Sequence, residues 1–316
     1  MFKEQNQTST MSIKRIVSFL PSATELLYEL GAQDMLYGVT HECKYPEDVK
    51  TKSCVINSVI NSEELSCKEI DAKTCQLIKE GMDVFVLNTQ NLLKANPDLI
   101  ISQETCDVCA ANTNHVNKAI QILQKKPIIY SMNPHNLQEI LESVSEVGKI
   151  LEKENEASII METLKNRIKN VKKQVTVTNL KVLAIEWIEP FFTAGHWIPE
   201  IIENAGGKNL ISSPGEYSRQ LNIQEIISSD PDIIILMPCG FDIERTLLEY
   251  KILRDDKAWC TLRAVRDKNI FAVDANSYFS KPSIRTITGL EIIAKIINPE
   301  QFLSLNVPEN SFLQIK

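Results

Sequence analysis

No run of apolar residues in this chain approaches the roughly 20 that a membrane-spanning helix requires; the longest are strand-length. A membrane-embedded protein is therefore not expected. A secretory start is missing as well. Such a signal needs a basic opening, roughly 7–15 apolar residues and a small-residue cleavage site. Here "MFKEQNQTSTMSIKRIVSFLPSATE" stays polar up to Ile16, and its apolar run ends at Pro21. The first cysteine is Cys43, so there is no lipoprotein-type cysteine either. Residues 1–12 are expected to form a disordered lead, with Met11 as an alternative start, and the protein is expected to be cytoplasmic.

Positive charge is not in excess: 34 basic against 41 acidic residues leave a net charge of −7. Neither nucleic acid nor an anionic membrane surface is an expected partner. With only 10 glycines and 13 prolines in 316 residues, the chain is not collagen-like or of low complexity. Its eight cysteines lack the dense spacing of a disulfide scaffold, which agrees with a reducing compartment. There is no Gly-x-Gly-x-x-Gly or Walker-type loop for nucleotide phosphates and no Gly-x-Ser-x-Gly elbow. Nothing compels an enzyme.

What is present is an ordinary globular mixture, 43% apolar and 24% charged, long enough for about two domains of roughly 150 residues each. Strand-like and helix-like segments alternate. "RIVSF" (15–19), "MLYGV" (35–39), "DVFVL" (83–87), "LIIS" and "PIIYSM" (127–132) read as strands. Ser22-Ala23-Thr24-Glu25 reads as a capping box opening a helix. From Leu137 to about Val171 the period is helical, which predicts one helix of about 50 Å. The alternation then resumes with "KVLAIE" (181–186), "DIIIL" (232–236), "NIFAVDA" (269–275) and a helix from Ile284 to Ile297. The halves echo one another: "NLLKANPDLIISQETC" and "IQEIISSDPDIIILMPC" each run from a helix through Pro-Asp and a strand to a cysteine. Alternation of this kind predicts an α/β chain with parallel sheets. The expected division is a lobe at 13–135, a connecting helix at 136–174, a second lobe at 175–300 and a tail at 301–316.

Ligands of open parallel sheets sit beyond the carboxyl ends of the strands, and that rule selects residues here. "LYGV" runs into Thr40-His41-Glu42-Cys43, "LIIS" into Cys106 and Cys109, "VLAI" into Glu186 and Trp187, and "IIIL" into Pro238-Cys239-Gly240. His196 and Trp197 follow in the loop after Glu186. Singly, each has a bland reading: a buried thiol, a loop cap, a core tryptophan. Their coincidence at one edge favours a shared cleft. Cys67 and Cys75 in a helical stretch, and Cys54 and Cys260 in connecting segments, read as packing residues. His115 and His135 flank helices and receive no role.

The Cys106-x-x-Cys109 pair admits three chemistries. A thiolate at a helix N-terminus suits redox work, but such enzymes use a compact βαβ unit. Cys43, Cys106, Cys109 and Cys239, with His41 or His196 nearby, could instead hold zinc or iron, although a second Cys-x-x-Cys is absent. Packing is the third.

"RIVSFLPSATELLYELGAQDMLYGVTHECKYP", "LIISQETCDVCA", "EWIEPFFTAGHWIPEIIENAGGKN" and "FAVDANSYFSKP", in that order over residues 13–300, resemble cobalamin-binding members of the iron-siderophore/vitamin B12 substrate-binding protein family. They resemble in particular the subset without a signal peptide. The resemblance implies two similar α/β lobes with mainly parallel sheets, joined by one long rigid helix. It also implies non-enzymatic binding of a cobalamin-like corrinoid or related metal chelate in the interlobe cleft. Trp187, Phe191, Phe192, Trp197 and Phe279 would then offer flat apolar contact beside Glu186. His41 or His196 would approach the metal, and Ser22 with its helix N-terminus would hold a polar edge. Relatives that feed an ABC importer carry a docking glutamate in each lobe, seven residues before Pro-Asp; here Gln90 and Gln224 stand there. A transporter-coupled receptor for vitamin B12 or iron-siderophore, a cytoplasmic metalloprotein with a zinc or iron–sulfur site, and a thiol oxidoreductase are the rival readings.

Overall fold

The computed structural model describes residues 12–103, 113–176 and 178–316. Lobe one is built on β1 (Ile16–Ser18), β2 (Leu36–Thr40), β3 (Cys54–Ser58), β4 (Phe85–Leu87), β5 (Leu99–Gln103) and β6 (Ile128–Met132). They form one sheet in the order β4-β3-β2-β1-β5-β6, parallel except for the β3–β4 pair. Around it lie α1 (Pro21–Glu29), α3 (Thr89–Ala95) and α4 (Thr113–Ile122), while the start of α2 (Cys67–Lys79), in the chain between β3 and β4, packs on lobe two. Lobe two follows two connecting helices, α5 (Leu137–Ile150) and α6 (Glu154–Gln174). Its strands are β7 (Lys181–Ile188), β8 (Phe191–Thr193), β9 (Lys208–Asn209), β10 (Gln220–Leu221), β11 (Ile233–Leu236), β12 (Ile270–Val273) and β13 (Phe312–Ile315). The sheet runs β10-β8-β7-β11-β12-β13, with β7, β11 and β12 parallel and β9 against β7. Its helices are α7 (Ile198–Asn204), α8 (Ile223–Ser229), α9 (Ile243–Tyr250), α10 (Arg263–Arg266), α11 (Ala275–Tyr278) and α12 (Thr286–Ile297).

The echo between the halves is structural. α3 and α8 each start at an asparagine: Asn88 and Asn222 accept the amide of the third helical residue at 3.0 Å. Each ends on a left-handed residue, Asn96 (φ 41°) and Asp230 (φ 46°), just before Pro-Asp. The two aspartates then do the same work. Asp98 accepts the amides of Lys14 and Arg15 at 2.9 Å, and Asp232 accepts that of Lys181 at 2.8 Å. Each thereby fixes the entering strand of its sheet against its neighbour.

Four expectations are corrected. The connection is not one helix but a hairpin. Leu151 caps α5, Glu152 turns left-handed (φ 56°), and α6 folds back along α5. The close approach depends on Gly148, where a Cβ would overlap the Cβ of Ala157. Ser22 forms no capping box: Leu20 is the N-cap without a side-chain bond, Pro21 occupies the first helical position, and Ser22 lies inside α1. Cys54 belongs to no connecting segment, because it opens β3. The tail is structured too, since β13 pairs antiparallel with β12 along Phe312–Ile315. The expected lead and the Cys106/Cys109 pair lie outside the described residues.

The hairpin is shared between the two cores. Leu137, Ile140 and Leu141 of α5 pack into lobe two, whereas Val144, Val147 and Leu151 pack into lobe one. On α6, Ala157 belongs to lobe one, and Leu164 and Val171 belong to lobe two. At about 1.5 Å per residue, α6 spans about 30 Å. Arg167 pins it to α12 through a two-pronged bond to Glu291, at 2.9 and 2.6 Å, and a bond to Thr288 at 2.8 Å.

Replacing Gly148 with leucine forces α6 off α5. We expect a loss of about 1–3 kcal/mol, as in overpacked cores, read as a lower urea midpoint with an unchanged m-value.

Candidate functional site

The carboxyl ends of the strands face each other between the lobes. β1 delivers Leu20 and Pro21, β2 delivers His41 and Glu42, and β5 ends at Gln103. From the other side β11 leads to Cys239 and Gly240, and β12 leads through α11 to Ser280, Lys281 and Pro282. Leu20, Pro21, Glu42, Gln103, Cys239, Gly240, Ser280, Lys281 and Pro282 enclose a cavity of about 60 Å³. Small-molecule sites usually measure about 300–1,000 Å³. The cavity as it stands is several times smaller than that.

One ion pair closes this seam. Arg285 lies 3.4 Å from Glu25 across the lobes, and its guanidinium sits 4.2 Å from the ring centre of Tyr45 and 4.8 Å from that of Tyr278. It is thus held between one tyrosine from each lobe, a favourable place for a planar cation. Glu25 is only 4% exposed. Burial pushes its carboxyl above the usual range, and Arg285, Lys281 and Ser283 recover only part of that shift. Its Oε2 and the Oγ of Ser22, three residues earlier on the same helix face, are buried without a hydrogen-bond partner. Glu42 goes the other way. Burial raises it, but bonding to His41 and the charges of Lys281, His41 and Lys44 outweigh that and hold it ionised. The seam therefore carries two carboxylates tuned in opposite directions.

The residues selected from the sequence do not all meet at this cavity. Cys239 lines it. Cys43 is buried behind it, its sulfur 3.1 Å from Thr24 Oγ1 and 3.4 Å from Thr40 Oγ1, and burial raises its thiol. Among the described residues, no group of three His, Cys, Asp or Glu side chains could hold a metal ion. His41 does not line the cavity; half-buried next to the lining residue Glu42, it has Nδ1 3.3 Å from the Ile56 carbonyl oxygen and Nε2 3.4 Å from Glu42. Glu186 is half-buried near the end of β7, where its carbonyl accepts the Cys239 amide at 3.0 Å.

The five aromatic residues divide. Trp197 and Phe279 belong to the lobe-two core, joined by Trp197 Nε1 donating to the Phe279 carbonyl at 3.0 Å. Phe191 stacks on Trp259 at 5.6 Å, Phe192 is half-buried in β8, and Trp187 donates to the Cys67 carbonyl at 3.2 Å. None of the five lines the 60 Å³ cavity. His196, left-handed at φ 53°, lies 3.2 Å from His135, Nδ1 to Nδ1, with Tyr217 edge-on to both rings. Burial first, then His135, pushes His196 down to about 4. His115 is buried in α4 with Nε2 3.0 Å from the Phe85 carbonyl oxygen. Cys75 and Cys260 are exposed and so are not packing residues: one is on the outer face of α2 and the other in a surface turn. Glu25, Tyr45, Lys281 and Arg285 were missed. Glu25 was hidden by its fit to a capping box, and only the cation-bearing "SKPSIR" after a strand end hinted at Lys281 and Arg285.

A sequence profile of the periplasmic binding protein family matches residues 16–277. An uncharacterized ABC transporter substrate-binding lipoprotein of Bacillus subtilis is 23% identical over 308 residues, covering 94% of this chain and 84% of that protein. The vitamin B12-binding protein of Vibrio cholerae is 21% identical over 293 residues, covering 91% and 90%. The crystal structure of a periplasmic heme-binding protein from Pseudomonas aeruginosa superposes with a TM-score of 0.69 at 15% identity, covering 91% of this chain and 94% of that one.

Removing Arg285 leaves Glu25 buried with only Lys281 and Ser283 to offset its desolvation. Arg285→Met should cost about 3 kcal/mol at pH 7. A folded-state carboxyl pKa above its unfolded value favours the fold as pH falls, and the cost of ionised Glu25 is present above that pKa. Losing Arg285 raises it further, so the deficit should shrink from pH 7 towards pH 5. Urea denaturation at the two pH values checks this, and an equal deficit at both would remove Glu25 as its source.

Proposed function

The chain belongs to the periplasmic binding protein family, and on that premise we propose that it captures a metal chelate of the vitamin B12, haem or siderophore class between its lobes for an ABC importer. As a member of that family it binds its ligand rather than converting it. The observation that carries the ligand reading is the seam, where the carboxyl ends of both sheets converge on one cavity; α1, whose Pro21 lines that cavity, also holds the unpartnered buried oxygens of Ser22 and Glu25. The vitamin B12-binding relative and the heme-binding structural neighbour support the chelate class. Of the aromatic residues, Trp187 and Phe192, half-buried at the end of β7 and on β8, are the candidates to contact a macrocycle. His41, next to the lining residue Glu42, is the candidate axial ligand, and Glu186 and Cys239 would border the same face. Zinc or iron bound by the cysteines alone is a separate idea, resting on Cys106 and Cys109.

A second reading, a cytoplasmic binder without an importer, has one observation in its favour. Gln90 and Gln224 are exposed at the second positions of α3 and α8, where the resemblance implies docking glutamates. The adjacent Glu225 does not substitute for Gln224. It is committed to the Asn222 capping box and to Arg219 at 2.8 Å. Among the described residues no helix is long and apolar enough to cross a membrane.

Titration with cyanocobalamin, haemin and a ferric siderophore, followed by absorbance and tryptophan quenching, should show one equivalent bound for at least one of them, with Kd at or below about 1 μM. Absence of binding by all three would overturn the chelate reading. The importer arm parts from the second reading in a reconstituted vitamin B12-type importer. Stimulation of its ATPase by the unaltered protein supports coupling, whereas stimulation only after Gln90→Glu with Gln224→Glu supports the free-standing binder.

A further inference from the structure

β3 and β4 are antiparallel neighbours, a pairing that a loop of two to five residues can close, yet the chain between them runs from residue 59 to residue 84. That excursion carries α2 and a short 3-10 turn at Ser62–Glu64. Its base is held in lobe one, where the Val59 amide donates to the Val84 carbonyl at 2.9 Å. Its middle docks on lobe two. Arg245 of α9 donates to the Glu63 carbonyl at 2.9 Å and also to the Leu65 carbonyl. The Cys67 amide donates to Glu249 at 3.0 Å, while its carbonyl accepts from Trp187 Nε1 at 3.2 Å. Lys68 pairs with Glu189 at 3.2 Å. The Cys67 side chain is completely buried, and it belongs to the lobe-two core with Ile188 and Phe241 rather than to its own lobe.

Arg245 and Glu249 are four residues apart on α9 and paired at 2.7 Å. One supplies donors for the carbonyls before α2, and the other supplies an acceptor for its first amide. This dock shares a wall with the cavity. The Arg245 guanidinium lies 4.8 Å from the Phe241 ring centre, Trp187 lies 5.3 Å from the same ring, and Phe241 follows Cys239 and Gly240 of the cavity lining.

We propose that residues 61–79 form a strap from lobe one whose docking on Arg245 and Glu249 sets the rate at which the cleft exchanges its ligand. This rests on the reading of the cleft as the ligand site. While docked, Cys67 is screened from reagents, and burial followed by the charge of Glu249 pushes its thiol up to about 12. Undocking exposes it, which gives a readout that needs no ligand.

The test compares the unaltered full chain with Arg245→Ala and Glu249→Gln. Iodoacetamide labelling of Cys67 is mapped by mass spectrometry, with exposed Cys75 as the internal reference. Cyanocobalamin and haemin association and release are followed by stopped flow. Arg245→Ala should raise Cys67 labelling at least about tenfold relative to Cys75 and speed association and release by similar factors, leaving Kd within about threefold. Glu249→Gln, which keeps the side-chain shape, should move both readouts the same way by less, and it carries the test alone if Arg245→Ala does not fold. Faster labelling with unchanged exchange rates would make the strap plain packing and overturn the gate, and so would unchanged labelling in both variants. If neither of these chelates nor the ferric siderophore binds even the unaltered protein, the cleft reading fails and the gate falls with it; the labelling result tells that failure apart from a failure of docking.

Discussion

Two parallel sheets can present their carboxyl ends to one cleft only if something fixes the distance and angle between them. Here that constraint is the α5–α6 hairpin. Each helix divides its apolar stripe between the two cores, so pulling either lobe away from the hairpin would draw side chains out of a packed interior. Cores at near-crystalline density resist such shifts. The Arg167 fork on Glu291 adds a directional hold at the lobe-two end, because a planar guanidinium accepts only a narrow range of carboxylate geometries. The close approach at Gly148 sets the spacing at the other end.

Within that frame the seam is polar where an ordinary domain interface would not need to be. An ion pair taken out of water gains little net stability, because desolvation offsets much of its attraction. Glu25 also leaves one oxygen without a partner, and Ser22 does the same beside it. Buried unsatisfied groups cost about 1–3 kcal/mol each. A seam optimised only for stability would replace them with apolar residues. Their presence is economical only if opening relieves the penalty or a ligand satisfies it, and both fit a site that must close and reopen.

Much of the fold was legible in the sequence. The Pro-Asp echo marked equivalent positions in both lobes, because the aspartate after a left-handed cap has one local role, holding the amides of the entering strand. Strand ends were legible for the same reason, since apolar runs stop where side chains meet solvent or ligand. The hairpin was not, although its charges carried a hint. Lys149 ends one helix, and Glu154 and Glu156 open the next, as helix dipoles favour. A helical period continues unchanged through such a break. β3 was hidden by its mixed polarity, since only Val55 and Ile56 of its five residues are buried, and β13 by its place beyond the last helix of the second lobe. The strap was illegible in principle. Its residues have helical periodicity, and nothing in "SEELSCKEID" says that Cys67 is buried in the opposite lobe.

The two contacts across the lobes therefore differ in kind. In the clasp at Arg285, a buried pair meets two tyrosine rings and one carboxylate oxygen remains unpaired; its contribution is mainly to orient closure. In the strap, backbone donors and acceptors between Glu63 and Cys67 meet matched side chains of lobe two, and the Cys67 side chain adds its burial. Hydrogen bonds of that kind are worth about 1 kcal/mol each, more when one partner is charged. If they add, these bonds would hold the strap down by a few kcal/mol. An opening free energy of that size suits a gate: a larger one would seal the cleft, and a smaller one would leave Cys67 exposed. If the strap gates the cleft as proposed, its release must precede any bending at the hairpin, because the hairpin is packed into both cores and the strap's hold on lobe two rests on few bonds.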